Sequence, residues 1–475
     1  MARAQSLPRV TLEFEGASLG DARRSARLLE IADALDRDPR SGFPQAMGSE
    51  AELEAFYRFI NNDAFSAADI LAPHVAATVL RAREKRRVVV VHDTTPVAFG
   101  GLTRRDGLGT VSSRYDQGFI AHAALMLAED GTPLGVAHLE TLTRSGAKRR
   151  TRSATHRVNR NDDERESLRW VRAVDAVEHL RDGAFEAVHV TDAEGDFFEL
   201  LAGLHEKKAR FVIRAGQLDR IVDLHGEDVS LRTAVDEITP RLRRDIQLSE
   251  RRYAKRNVRK HNHPERAARS VRLAIGATTV LIKKTKYSNV RRDPFRINVV
   301  RVWEEAPPAG EPPVEWILLT TDSTDTRRDL GHLVDTYRLR WTIEEFFKAL
   351  KTGCSLERRQ IESYDGLRKV LALFAPIAYR LLLLRGLERA APNLPATSAF
   401  STAELHLMQR APSNRGLRPA RTIADAMLHL ARLGGHLRNN GRPGWQTLSR
   451  GYEKLLTLRM GWQIAHDTLL RSDQS

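Results

Sequence analysis

Four consecutive valines in the stretch RRVVVVHDTT, residues 86–95, limit the folds open to this chain. An unbroken β-branched run marks a buried strand, predicted to end at Asp93. Two apolar runs follow, FIAHAALMLAED and LGVAHLETL, divided by the turn residues Asp130 and Gly131 as in a hairpin. After a basic, polar stretch around SGAKRRTRSATHRVNRNDD, which reads as a loop, ERESLRWVRAVDAVEHL has helical period. EAVHVT then reads as a strand ending at Asp192, DFFELLAGLHEK as a helix and RFVIRA as a strand. The order strand, hairpin, helix, strand, helix, strand predicts an α/β chain, a mixed sheet with helices packed on it.

A chain of 475 residues exceeds what one hydrophobic core usually serves, so two or three domains, or one domain with large additions, are expected. Leu19 to about Ala82 is helical in pattern, with Ser49 as an N-cap, which sets a helical domain over residues 1–82. The sheet core spans 83–360, and a basic insertion at about 218–313 holds a possible strand pair, SVRLAIG and TTVLIKK. Residues 361–475 are mostly helical. Lys and Arg outnumber Asp and Glu by 76 to 61, and between Arg241 and Arg296 the ratio is eighteen to four. Such a local surplus fits a polyanionic partner, or else a solvated basic face. The single cysteine, Cys354, fits a reducing cytosol. The run VLALFAPIAYRLLLL, interrupted by Pro376 and Arg380, reads as a buried helix, so no membrane partner is expected.

The stretch YRLRWTIEEFFKALK, Tyr337 to Lys351, reads as one amphipathic helix. At about 100° per residue it aligns Tyr337, Arg340, Glu344, Lys348 and Lys351 within an arc of roughly 80°. Glu345 falls outside that stripe, and Leu339, Ile343, Phe346, Phe347 and Leu350 make the anchoring apolar face. By itself the stripe reads more simply as a set of surface ion pairs at i,i+4 spacing. The two strand-end aspartates add a second meaning, because three carboxylates suit hard divalent cations that prefer oxygen ligands. A pair of such ions activates a water or 3′-hydroxyl and stabilises the leaving oxygen of a phosphodiester.

The order Asp93 in HDTT, Asp192 in TDAEGD and Glu344 inside Y-x2-R-x3-E-x6-K resembles the bacterial cut-and-paste DDE transposases of the transposon-five and insertion-sequence-four type. The likeness extends through LGDARRSARL and YRFINN, RFVIR, EWILLTT and ARLGG, nearly the whole chain. It implies a ribonuclease-H-like mixed sheet core with a β-rich insertion, flanked by N-terminal and C-terminal helical domains. It further implies that Asp93, Asp192 and Glu344 are catalytic and bind two Mg2+ or Mn2+ ions. Tyr337, Arg340, Lys348 and Lys351 would contact phosphates, and Trp316 would stack on a flipped base. Arg214, and Arg23, Arg24, Arg27 and Arg58 in the inverted-repeat-reading N-terminal domain, would be further DNA contacts. The resemblance implies a homodimer paired through the C-terminal helices, acting on element ends and target DNA in the bacterial cytoplasm, associated with the nucleoid. One departure stands out: the family often has Arg then Glu after the second aspartate, where this chain has Ala193 then Glu194. His92 and His189 read as packing or hydrogen-bonding residues, and His261 and His263 as no metal site. The alternatives are a non-catalytic DNA-binding regulator and a nuclease on the same core without strand transfer.

Overall fold

The computed structural model describes residues 9–101, 103–111, 116–144, 165–248, 267–285, 288, 290, 292–311, 313–437, 443 and 445–472. The loop expected around SGAKRRTRSATHRVNRNDD, His261 and His263 lie outside these residues. After a 3-10 turn at Val10–Glu13 come helices α1 (Ala22–Arg37), α2 (Phe43–Met47), α3 (Glu50–Ile60) and α4 (Ala67–Arg83). Strands β1 (Arg87–Phe99), β2 (Gly109–Thr110), β3 (Gln117–Ala128) and β4 (Pro133–Leu142) follow. Then α5 (Arg169–Arg181), β5 (Glu186–Thr191), α6 (Phe198–Glu206) and β6 (Arg210–Arg214) alternate as the sequence predicts. The insertion contributes β7 (Ile221–Leu224), β8 (Glu227–Ser230), α7 (Leu231–Asp236), β9 (Leu242–Leu248), β10 (Arg269–Ile282) and β11 (Phe295–Glu304). The chain continues through β12 (Glu315–Thr320), α8 (Arg327–Arg338), α9 (Trp341–Lys348), α10 (Tyr364–Ala390), α11 (Thr402–Arg410), α12 (Ile423–Leu433) and α13 (Trp445–Ser472).

Two compact units form, one from Met1–Arg86, Thr94–Ala147 and Thr342–Ser475, the other from Arg87–Asp93 and Lys148–Trp341. The N-terminal and C-terminal helices, expected as separate domains, thus share the first unit. In the second unit the first residues of β1 pair in parallel with β5, and β5 in parallel with β6. β12, β11 and β10 extend the sheet antiparallel, with β7 and β9 both on β10. Trp170, Val174, Phe198, Leu201 and Leu204 from α5 and α6 share a core with Phe211, Ile213, Val280, Val299 and Leu319 of the strands. The pair expected from SVRLAIG and TTVLIKK is instead one strand, β10. Its middle glycine makes no turn: a Cβ on Gly276 would lie 2.2 Å from the Thr239 carbonyl, so the residue admits a close backbone approach. Much of the insertion's basic excess on these strands is neutralised locally, Arg243 by Glu305, Arg244 by Asp335, Arg269 by Glu304 and Arg272 by Asp245.

In the first unit β3 and β4 form the expected antiparallel hairpin. Ser49 caps α3, accepting from Glu52 N, and Ser66 with Asp69 makes a capping box on α4. The apolar run becomes α10, long and apolar enough to cross a membrane, with 67% of its most apolar window buried inside the protein. Arg359 lies just before it. Its guanidinium donates to the carbonyls of Pro39, Ser41 and Cys354, and sits 5.0 Å from the Phe43 ring centre and 4.6 Å from that of Phe374. Near the C-terminus the ARLGG stretch has a packing reason. A Cβ on Gly434 would meet the Thr447 carbonyl at 1.8 Å, and one on Gly451 the Leu430 carbonyl at 1.9 Å. Glycine at both positions lets α12 and α13 touch backbone to backbone.

A buried charge network ties the first residues of this unit to α4 and β4. Glu13 accepts from Arg81 at 2.9 and 3.1 Å and lies 2.5 Å from His74 Nδ1, while His74 Nε2 accepts from Val136 N at 3.0 Å. With Nε2 an acceptor, Nδ1 carries the proton and the imidazole is neutral. Burial alone would raise the Glu13 pKa, but the bonds and charges of His74 and Arg81 outweigh it and hold the carboxyl below its usual range. Burial lowers His74 from its ordinary 6.5, with Glu13 opposing only in part. Both groups are depressed in the fold, so the unfolded chain takes up protons first and stability is lost as the pH falls. Glu13→Gln is expected to cost about 2–3 kcal/mol at neutral pH. Urea denaturation as a function of pH would show the gap from the unsubstituted protein holding from neutral pH down to about 4.5 and closing only below it, as Glu13 protonates.

Candidate active site

β1 and β5 run parallel with Val89 opposite Val188 and Val91 opposite Val190. Asp93 and Asp192 each lie two residues beyond the last matched pair, so the register sets them side by side, facing the same side of the sheet. β1 does not end at Asp93 as the sequence suggests, but continues to Phe99; it is the pairing with β5 that stops at Val91. Asp192 caps a 3-10 turn, accepting from Glu194 N at 2.9 Å. The loop behind it is locked by Asp196, fully buried, which accepts from Gly216 N and Gln217 N at 2.7 and 2.8 Å and pairs with Arg220 at 2.6 Å. A Cβ on Gly195 would meet Thr191 Oγ1 at 2.2 Å, which explains the glycine in TDAEGD.

Beneath the aspartates the two histidines do what the sequence assigns them. His92 Nε2 and His189 Nδ1 are 2.9 Å apart, and His189 Nε2 is 3.1 Å from Glu178 Oε1. Burial would raise Glu178, but hydrogen bonds from His189 and Arg181 bring its pKa down to about 2, so it is a fixed anion. Beside the site without the family's arginine, Arg169 of α5 bonds Glu194 at 2.8 Å. Sequence order hides this partner, because it lies 25 residues upstream.

Tyr337, Arg340, Trp316 and Arg214 belong to the same unit as the aspartates. Arg340 lies 3.4 Å from Asp93 Oδ2, with both side chains mostly buried, and its guanidinium stands 5.7 Å from the Trp341 ring centre. Burial raises the Tyr337 hydroxyl above its ordinary pKa; Arg340, which bonds it, and Arg214 oppose this, and Asp192 adds to it. The Trp316 and Tyr337 ring centres are 6.1 Å apart. The structure therefore gathers Asp93, Asp192, Arg214, Trp316, Tyr337 and Arg340 from β1, β5, β6, β12 and the end of α8.

The signature stretch is not one helix. α8 stops at Arg338, where Leu339 N and Arg340 N bond three residues back, to Thr336 and Tyr337. α9 restarts at Trp341 and gives way to a π-turn at Ala349–Gly353. Successive bulky and β-branched residues, Trp341, Thr342 and Ile343, weaken helix continuity at the junction. The uniform 100° stripe holds only within α9, where Glu344 is half-buried and Lys348 exposed. Glu345, excluded from the stripe, is buried and pairs with Arg385 at 3.4 Å. Lys351 bonds the Pro96 carbonyl and lies 3.4 Å from Glu357, which also accepts from Ala98 N, so its ammonium braces β1. On the N-terminal helices Arg23 is exposed beside Asp21, Arg24 bonds the Leu19 carbonyl, Arg27 pairs with Glu30 and Arg58 with Glu54.

Adjacent aspartates supply the oxygen donors that Mg2+ or Mn2+ requires, and the pair fits such ions. Among the described residues no three His, Cys, Asp or Glu side chains gather closely enough to hold a metal. Matched aspartates on neighbouring parallel strands, within a mixed sheet covered by helices and overlooked by an arginine and a tyrosine, fit a ribonuclease-H-like core. Residues 9–65 match the family model described as Transposase DNA-binding, and residues 138–378, more than half of the chain, match that described as Transposase DDE domain. The chain belongs to the DDE transposase family. It is a DNA transposase, its partner is DNA, and proteins of this family generally use divalent metal ions. Asp192, Glu344 and the Tyr337 to Lys351 stretch fall inside the second match, whereas Asp93 lies outside both.

Proposed function

We propose that this transposase is of the cut-and-paste, transposon-five and insertion-sequence-four type, excising and integrating an element through its inverted-repeat ends. The observation that supports this most is the register of Asp93 and Asp192, with Arg340 beside the first and Tyr337 acted on by the charge of the second. Two divalent ions held by Asp93, Asp192 and, from its place in the signature, Glu344 would activate the attacking oxygen and stabilise the leaving one. Arg340, released from Asp93, and Arg214 would carry phosphate oxygens, with Tyr337 orienting them. Trp316, already ring to ring with Tyr337, would accept a base extruded from the terminus. Lys348, exposed on α9, would contact the backbone of the same DNA, and the N-terminal arginines, exposed at Arg23 and Arg58 and half-buried at Arg24 and Arg27, would position the inverted repeat.

Water would first cut at the element end, leaving a 3′-hydroxyl. That hydroxyl would attack the opposite strand to close a hairpin, whose opening frees the end for joining to target DNA. All nucleophiles are water or DNA, so no protein side chain becomes covalently linked. Two protomers paired through the C-terminal helices would bring the two ends together. The test is cleavage of a duplex carrying the element's own terminus, with and without Mg2+. Hairpin-ended products are expected only with the ion. Nicks without hairpins would favour a nuclease, and binding without cutting under Mg2+ or Mn2+ a regulator.

A further inference from the structure

The stretch from Leu405 to Arg421, LHLMQRAPSNRGLRPAR, contains four arginines and no Asp or Glu. Arg410, Arg415, Arg418 and Arg421 are all exposed, and among the described residues none of the four guanidinium groups is engaged in an ion pair. This differs from much of the chain, where Arg27, Arg243 and Arg272 are held by Glu30, Glu305 and Asp245. The segment is nonetheless fixed. Asn414, fully buried, donates to the Met408 and His429 carbonyls at 2.8 and 3.0 Å. Gln409 donates to Leu417 O at 2.9 Å, Gly416 turns the chain at φ 82°, and Arg421 bonds through its backbone to Ala396 N at 2.9 Å and Asp425 at 3.1 Å. An open cleft of about 720 Å³, lined by His406, Gln409, Arg410 and Arg415 among others, lies along it.

From this rigid, unneutralised arginine loop beside an open cleft, we infer that residues 410–421 form a DNA-contact surface, separate from the aspartate site and the N-terminal helices, that grips duplex phosphates without reading sequence. Arginine suits the task, because its planar fork meets phosphate oxygens in two parallel bonds. Backbone anchoring also means that little loop entropy is lost when DNA arrives. The inference rests on the transposase reading, since it names a second surface for the same polymer.

The experiment measures the affinity of the full-length protein for a random-sequence duplex over a series of salt concentrations. The unsubstituted chain is compared with R410Q/R415Q/R418Q/R421Q and with the matching four-lysine variant. Each phosphate that the variant no longer neutralises should flatten the slope of log K against log salt by about 0.9. The glutamine variant is expected to lose slope and affinity together, and the lysine variant to keep most of the slope. Equal thermal midpoints for the three proteins would show that the fold is unchanged. An unaltered slope in the glutamine variant overturns the inference and leaves the transposase reading standing. Failure of the unsubstituted protein to bind any duplex overturns both.

Discussion

Asp192→Asn is expected to reduce cleavage of a terminal duplex by about 10³-fold or more while leaving binding of that duplex largely intact. The substitution is close to isosteric, and its side-chain oxygen can still accept from Glu194 N, so the 3-10 turn after β5 survives. What disappears is the negative charge next to Asp93, on which binding of a hard cation depends. Glu344→Gln should match it, because losses within one catalytic unit do not add. A single-turnover assay beside a gel-shift titration separates the two effects. Retained cleavage in either variant would remove that residue from the chemistry. Asp196→Asn provides the contrast: this carboxylate is buried against Arg220 and two backbone amides, so its loss should register as reduced stability.

The largest stability effect is expected at Arg359. Burial lowers its pKa to about 10, which leaves it a cation at neutral pH. Truncation to alanine removes a guanidinium that satisfies the carbonyls of Pro39, Ser41 and Cys354 and fills the space between Phe43 and Phe374. A loss of about 3–5 kcal/mol follows from orphaned acceptors and a cavity together. Lysine should recover only part of it, since a single ammonium cannot span three carbonyls in the plane of a fork. Chemical denaturation of the three proteins gives the ranking.

The elements that carry the aspartates were legible because buried strands are short, β-branched and punctuated, as in VVVVHD and AVHVTD. Continuation of β1 past Asp93 was not, because Thr94, Thr95 and Pro96 look like a turn. Their extended path is held by distant partners, His122 on Thr94 and Glu357 on Ala98, which no local pattern announces. The signature spacing was visible, but periodicity assumes an unbroken helix, and the breaks at Leu339 and Ala349 depend on which carbonyl each amide finds. Burial of Glu345 against Arg385 was not legible, because periodicity sets that residue on the side of the helix away from the apolar face. The basic surplus of the insertion fits a DNA partner, but the count did not show that strand pairing sets Arg243 and Arg272 against acids far off in sequence.

The order in which the polypeptide is synthesised gives the discontinuous first unit a further meaning. Lys369 closes on the carbonyl of Asn62 across 307 residues and Arg380 on Asp36 across 344. At about 5–20 residues per second, a nascent chain waits roughly 15–60 s between making the first partner and the second. During that interval Phe43, Phe56 and Phe59, buried in the finished fold, lack the residues that complete their core. Polypeptides cut short by a premature stop should therefore be cleared by proteases instead of persisting as competitors for DNA ends.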